Sequence, residues 1–322
     1  MINPHNSHLY KLSSKKDLMY LLKIKDKRYL KQKYVLTHLT AYISQEKKPR
    51  LIEPPAESLK IIQHNIKKEL GLIEVPYNVF SGIKGRSYID NARLHMNNDY
   101  LFKIDLTAFF PCITRQYVYK FFKEELHTSS DVANILTNLV TIDLDKCTLK
   151  DTENIYQFLD KKGIKTNNHL ISGSPTSQIL SYLVNHKMFD QLQLFCDKND
   201  ITMSIYVDDI TFSAKHKISY KQKQMIYKII SKHLYRLSRN KVKYYDKGYP
   251  KLVTGSVISS DGTLKIPNSL KLKIFQQINV YQSNPDDTNK NRLRGLLIAA
   301  RQSEPTKFQN YYNLVINSAS KQ

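Results

Sequence analysis

Three aspartates stand where carboxylates can do chemistry. Asp105 closes the apolar run Tyr100-Leu101-Phe102-Lys103-Ile104 and is followed by Leu106-Thr107-Ala108-Phe109-Phe110. Asp208 and Asp209 lie between Ile205-Tyr206-Val207 and Ile210-Thr211-Phe212, at the tip of a predicted hairpin. Carboxylates at the ends of buried strands repel one another unless a cation neutralises them. Mg²⁺ suits the task, being a hard ion held by one or two carboxylates plus substrate phosphates. Two such ions about 3.5–4 Å apart activate an attacking hydroxyl and stabilise a leaving pyrophosphate. Between the two sites, Ser172-Gly173-Ser174-Pro175-Thr176-Ser177 opens into a predicted helix, where backbone N–H groups can hold a phosphate or a sugar. Taken singly, each has a plainer reading: a solvated Asp-Asp turn, a helix N-cap at Asp105, and a capping loop.

The elements that must position these residues alternate between helix and strand. Residues 1–40 read as helical, with Leu18, Leu21, Leu22 and Ile24 among lysines. Ala41–Ile43, a polar turn at 45–49 and Arg50–Ile52 read as strand, turn and strand; Ala56–Leu70 has helical spacing and ends at Gly71. A basic turn surrounds Gly82 and Gly85, and Tyr100–Leu106 alternates like a strand entering a core. The polar stretch Asp143–Asn168 reads as a hairpin or an insertion. Ile179–Phe195 is predicted as one amphipathic helix, helical spacing returns over Tyr220–Leu237, and further helices fall around Leu270–Ile278 and Arg292–Ala300. The pattern is α+β or α/β, and neither GxxxxGK[ST] nor GxGxxG occurs.

Composition narrows the class. Fifty Lys and Arg against 28 Asp and Glu leave a net charge of +22, which calls for a polyanionic partner. Ten Lys, two Arg and six Tyr fall between Lys215 and Lys251 against the single Asp246. Cations that track a phosphate backbone beside rings that stack on bases suit a nucleic-acid groove; a solvated helix face with core tyrosines is the alternative. Cys112, Cys147 and Cys196 form neither a disulfide framework nor a zinc spacing, as in a reducing cytoplasm. No apolar run approaches the ~20 residues of a membrane span, so no membrane partner is expected.

The order of these motifs resembles that of reverse transcriptases, and in detail the bacterial retron subgroup. Asp105 matches the first catalytic aspartate and Tyr206-Val207-Asp208-Asp209 the YxDD box. Asn91-Ala92-Arg93-Leu94-His95 fits the retron NAxxH pattern and Val253-Thr254-Gly255 its VTG pattern. Arg50-Leu51-Ile52-Glu53-Pro54 with Leu59-Lys60 and Gln63 matches the fingers segment, and Arg294-Gly295-Leu296 through Pro305 resembles the thumb. The likeness runs from about Lys48 to near residue 312. Three departures stand out: Ser172 replaces the usual Gln of the nucleotide loop, Gln178 the Pro after its Ser, and Val207 the Ala of YxDD.

The resemblance implies a right-hand polymerase fold of class α+β, with an antiparallel palm sheet plus helices. The expected divisions are an N-terminal helical segment at 1–40, fingers at 41–90 and 121–171, palm at 91–120 and 172–258, and a helical thumb at 259–322. It implies two Mg²⁺ ions held by Asp105, the Leu106 carbonyl, Asp208 and Asp209. Arg50, Phe110, Gly173 and Lys243 would contact the incoming nucleotide, Phe110 by excluding a ribose 2′-OH and Lys243 near the leaving pyrophosphate. Lys241, Tyr244, Tyr245, Lys247, Arg292 and Arg294 would hold RNA. The implied activity is copying of a dedicated structured non-coding RNA (msr-msd) into multicopy single-stranded DNA (msDNA) from dNTPs, primed by an RNA 2′-OH. A host RNase H and an anti-phage effector protein of the same locus are the implied partners, in the bacterial cytoplasm. The alternatives are a group II intron or diversity-generating reverse transcriptase, and a non-catalytic RNA-binding scaffold.

Overall fold

The computed structural model describes residues 1–46, 48–147, 149 and 151–317. Ser14 caps α1 (Lys15–Leu21) by accepting the Asp17 N–H, and a 3₁₀ turn leads to α2 (Gln32–Leu36). Leu18, Leu22 and Ile24 are buried there, and Leu21 is half-buried. β1 (Tyr42–Ile43) and β2 (Leu51–Ile52) pair antiparallel across the predicted turn, in which Lys47 lies outside the described residues. α3 (Glu57–Leu70) buries Leu59, Ile62 and Ile66, as its spacing requires.

α4 (Tyr88–Arg93) opens on a capping box between Ser87 and Asp90 and leads to β3 (Tyr100–Asp105). Then come α5 (Phe109–Cys112), α6 (Arg115–Lys120), α7 (Ser130–Val140) and β4 (Thr141–Asp143). The polar stretch 143–168 is closed by pairing of β4 with β5 (Asn168–Leu170), and its middle forms α8 (Thr152–Lys161), with Ile155 and Leu159 buried. It is therefore a helical excursion between paired strands rather than a plain hairpin; Thr148 and Lys150 lie outside the described residues.

Two expected helices end early, each for a tertiary reason. Residues 179–195 divide into α9 (Ser177–Val184) and α10 (His186–Asp197) at Asn185. The Asn185 side chain donates to the Ser181 carbonyl and accepts the Tyr235 hydroxyl, competing with the backbone ladder. β6 (Thr202–Tyr206) and β7 (Asp209–Ala214) form the predicted hairpin, followed by α11 (Tyr220–Lys232). α11 stops short of Leu237 because the Arg236 carbonyl accepts the Thr107 N–H and Leu237 bridges Leu106. β8 (Lys243–Tyr245), β9 (Lys251–Val253), β10 (Ser256–Ile258) and β11 (Leu264–Lys265) follow. α12 (Asn268–Ser283), α13 (Asp287–Ser303) and an unforeseen α14 (Gln309–Asn317) enclose a separate apolar cluster of Ile274, Ile278, Leu293, Leu297 and Val315.

The central sheet is antiparallel, ordered β6-β7-β3-β8. Alternation sends Phe102 and Ile104 to one face and Lys103 and Asp105 to the other. On the first face Phe212, Phe102 and Tyr244 stack across three strands, with Tyr227 of α11 edge-on to Phe102. On the second, His95 sits fully buried 2.7 Å from Ser204 Oγ and 2.6 Å from Ser213 Oγ, cross-linking the hairpin. Burial lowers its pKa to about 3, so the ring is neutral, one nitrogen donating and the other accepting. Asn91 donates to Thr254 Oγ1 at 2.8 Å, joining the NAxxH and VTG segments behind the same hairpin. His95→Ala leaves a cavity and takes a partner from two buried hydroxyls, of which Ser213 keeps the Asn98 amide donor. Denaturant unfolding should register a loss of about 3 kcal/mol.

Candidate active site

The three aspartates come to one end of the sheet because β3 and β7 are in register at their ends. Asp105 pairs with Asp209 across the strands, and Val207-Asp208 make the two-residue tip between Tyr206 and Asp209. The Asp208 carbonyl accepts the Leu106 N–H at 2.9 Å, tying the tip to the end of β3. Val207 has φ +57°, a conformation that a β-branched side chain disfavours, so the tip is strained where it presents Asp208.

Electrostatics at the tip reflect the crowding. The Asp208 carboxyl is pushed up to about 6, first by burial and then by the charges of Asp105 and Asp209. Two lysines answer that charge: Lys103 Nζ lies 2.8 Å from Asp209, and Lys241 Nζ lies 2.8 and 2.7 Å from the two Asp105 oxygens. Lys241, expected among the RNA contacts, stands at the carboxylates on a 3₁₀ turn pinned by the Ser238 N–H on the Asp105 carbonyl. Lys243 is exposed on β8 directly opposite Lys103, on the same face as Asp105.

Among the described residues, no three carboxylate, imidazole or thiol groups converge as a ready-made metal cage. The donor chemistry nevertheless fits hard cations: carboxylates in excess, one with a raised pKa, and ammonium groups already drawn to them. Such a site is completed by substrate phosphates rather than by protein alone.

The residues expected on the nucleotide are linked through one buried hydrogen-bonded pair. Phe110 is half-buried in α5, whose following Ile113 carbonyl accepts the Leu170 N–H of β5. β5 carries His169, and its imidazole lies 2.8 Å from Glu53; both side chains are 0% exposed. Glu53 also accepts the Ser172 N–H at 2.6 Å, and its own N–H donates to the Ser172 carbonyl at 2.8 Å. Gly173 follows at φ +119°, where a Cβ would meet the Glu53 carbonyl oxygen at 3.4 Å. Arg50, exposed just before β2, is thus three residues from the group that fixes the Ser172-Gly173 loop.

In the sequence Glu53 is only one letter of the fingers segment and nothing marks His169; 116 residues separate them. The one signal was a carboxylate placed between an apolar strand and Pro54-Pro55. Glu53→Gln keeps the volume but removes the charge that holds the Ser172 N–H. Steady-state titration should show KM for dNTP raised about tenfold with a smaller change in kcat.

The remaining predicted RNA contacts are dispersed. Tyr244 lies in the ring stack on the face opposite Asp105, and Tyr245 packs against the cluster of Ala92, Leu101 and Val253. Lys247 pairs with Asp99 at 3.2 Å. Arg292 and Arg294 are exposed on α13, flanking buried Leu293.

Three aspartates thus stand at the strand ends of an antiparallel sheet backed by helices. The sequence profile of the reverse transcriptase (RNA-dependent DNA polymerase) family matches residues 33–265, and the chain belongs to that family. Its fold is the α+β right hand of fingers, palm and helical thumb. Within the family the chain is of the bacterial retron type. It is 25% identical to the Retron Ec83 reverse transcriptase of Escherichia coli over 80% of this chain and 79% of that one. The Retron Se72 reverse transcriptase of Salmonella heidelberg (strain 579083-10) is 29% identical over 61% of this chain, and the Retron Ec86 reverse transcriptase of Escherichia coli is 25% identical over 67%. The matched stretches make up 46% and 60% of those two proteins. The family's enzymes are RNA-directed DNA polymerases that use divalent metal ions. Among the described residues no helix is long and apolar enough to cross a membrane.

Proposed function

We propose that this protein is the polymerase of a retron, copying part of a dedicated structured non-coding RNA (msr-msd) into msDNA from a 2′-OH of that RNA. The observation that carries the reading is the in-register pairing of Asp105 with Asp209 beneath the Asp208 tip. That arrangement concentrates three carboxylates where a primer hydroxyl and a nucleoside triphosphate would meet. Bound Mg²⁺ would supply activation of the hydroxyl and neutralisation of the pyrophosphate charge, held by Asp105, Asp208, Asp209 and the Leu106 carbonyl. Lys103 and Lys241 would give up their carboxylates on metal binding and turn to the phosphates, with Lys243 beside Lys103. Arg50 would clasp the triphosphate as a fork of donors, the Gly173 loop would carry the sugar side, and Phe110 would exclude a 2′-OH.

The proposed division is a helical N-terminal segment at 1–40, fingers at 41–90 and 121–171, palm at 91–120 and 172–258, and thumb at 259–322. Arg292 and Arg294 on the thumb and Lys247, Tyr244 and Tyr245 on the palm would hold the RNA. The enzyme would act in the bacterial cytoplasm, with a host RNase H removing copied RNA and an effector protein of the same locus completing an anti-phage system. The test is Mg²⁺-dependent incorporation of dTTP on oligo(dT) annealed to poly(rA). Incorporation that chelation abolishes supports the reading, and RNA binding without incorporation contradicts it.

A further inference from the structure

On the Phe102 and Tyr244 face of the palm sheet, α11 and the segment leading into β8 enclose a groove, one end of which is lined by Arg236, Leu237 and Arg239 of the segment bonded to the end of β3. Two adjoining cavities, of about 220 and 840 Å³, meet at Tyr244 between α11 and the segment leading into β8. Together they exceed the ~300–1,000 Å³ range of small-ligand sites, giving room for more than one nucleotide. Tyr244 is 55% exposed although its ring stacks on Phe102 at 5.2 Å, and its hydroxyl lies 3.1 Å from that of Tyr227. Lys223 Nζ stands 4.3 Å from the Tyr244 ring centroid.

Charge along the groove is one-sided. Lys217, Lys223, Lys228, Arg236 and Arg239 line it against Asp246, which Lys217 already pairs at 3.5 Å. Among the described residues, Lys228 and Arg239 form no ion pair with a carboxylate; Lys223 lies in the field of Asp246, and the Arg236 guanidinium turns towards Gly163 and Cys112. Cations spaced along a cleft beside a half-exposed aromatic ring match a single nucleic-acid strand, its phosphates on the cations and a base competing with Lys223 for the ring. Gln224 and Ser231 add polar groups on the same wall, suited to the 2′-hydroxyls that only RNA offers.

We propose that the groove between α11 and β8 binds an unpaired segment of the RNA, on the opposite side of the sheet from polymerisation. This rests on the retron reading above and adds a second RNA site, which would anchor the RNA while its template region passes the aspartates.

The test pairs two assays on the full chain carrying both Lys223→Gln and Lys228→Gln. Anisotropy with a labelled oligouridylate should show affinity about tenfold weaker than wild type, with the salt slope shallower by about 1.4 for two lost phosphate contacts. Extension of oligo(dT) on poly(rA) at saturating primer-template should stay within twofold, which also shows that the variant folds. Unchanged oligouridylate affinity would overturn the proposal, as would equal wild-type affinity for the matching deoxyoligonucleotide. A parallel loss of extension would overturn the separation of the two faces. Wild-type protein that binds RNA in the groove but never extends a primer would sink the polymerase reading and leave this site standing.

Discussion

Asp208→Asn is expected to abolish dNTP incorporation while making the metal-free protein more stable. The amide cannot give the anionic ligand that a hard cation needs, so the rate should fall on the order of 10³-fold or more. The stability gain has a separate origin. In the folded state the Asp208 carboxyl titrates near 6, raised by burial and by Asp105 and Asp209, against 3.8 when unperturbed. Above pH 6 the wild type therefore carries a charge that the fold disfavours. Below pH 4 the carboxyl is protonated in both states and the penalty vanishes. The variant should gain on the order of 1–2 kcal/mol at pH 7 to 8 in chelator, after discounting for water at the tip, and nothing below pH 4. Thermal unfolding across that range measures it. A variant less stable than wild type at neutral pH would contradict a site built from repelling carboxylates. Added Mg²⁺ should raise the Tm of wild type and not of the variant.

Phe110→Ala should open the enzyme to ribonucleotides. The two phenylalanines of α5 divide their work: Phe109 is buried edge-on to Tyr235 at 5.2 Å, while Phe110 remains half-buried. Ala108 turns through φ +48° just ahead of them and so sets the direction in which α5 leaves Asp105. Exclusion by a ring is steric, so shortening it removes the clash without touching the aspartates. The preference for dNTP over rNTP in kcat/KM should fall roughly 10- to 100-fold, chiefly through a gain with rNTP. Phe109→Ala should instead cost about 3 kcal/mol of stability and leave sugar selection unchanged. Single-nucleotide incorporation with matched dNTP and rNTP, alongside denaturant melts, separates the two.

What could be read from the chain was local. β3, the β6-β7 hairpin and α3 follow from apolar spacing within a few residues, and they carry Asp105, Asp208 and Asp209 to one end of the sheet. The break at Asn185 was hidden because the apolar face runs on through it; only Tyr235, fifty residues later, makes the break favourable. The end of α11 was hidden in the same way by the hydrogen bond from Thr107 to Arg236. Lys241 and Lys243 are two residues apart in one basic run. Their difference, one on Asp105 and the other opposite Lys103, depends on the 3₁₀ turn that precedes β8. The Glu53–His169 pair is a long-range contact with no periodic signature. NAxxH and VTG were legible as patterns, but their physical content is the Asn91–Thr254 bond and the His95 cross-link.

The central claim is that these carboxylates make DNA on a dedicated RNA. It is tested most directly by the nucleic acid that copurifies with the protein from cells carrying its native locus. Wild-type protein should bring down a short DNA covalently joined to RNA, sensitive to DNase, RNase and a debranching enzyme, and the Asp208→Ala, Asp209→Ala variant should yield RNA alone. RNA without attached DNA from both proteins would contradict the account.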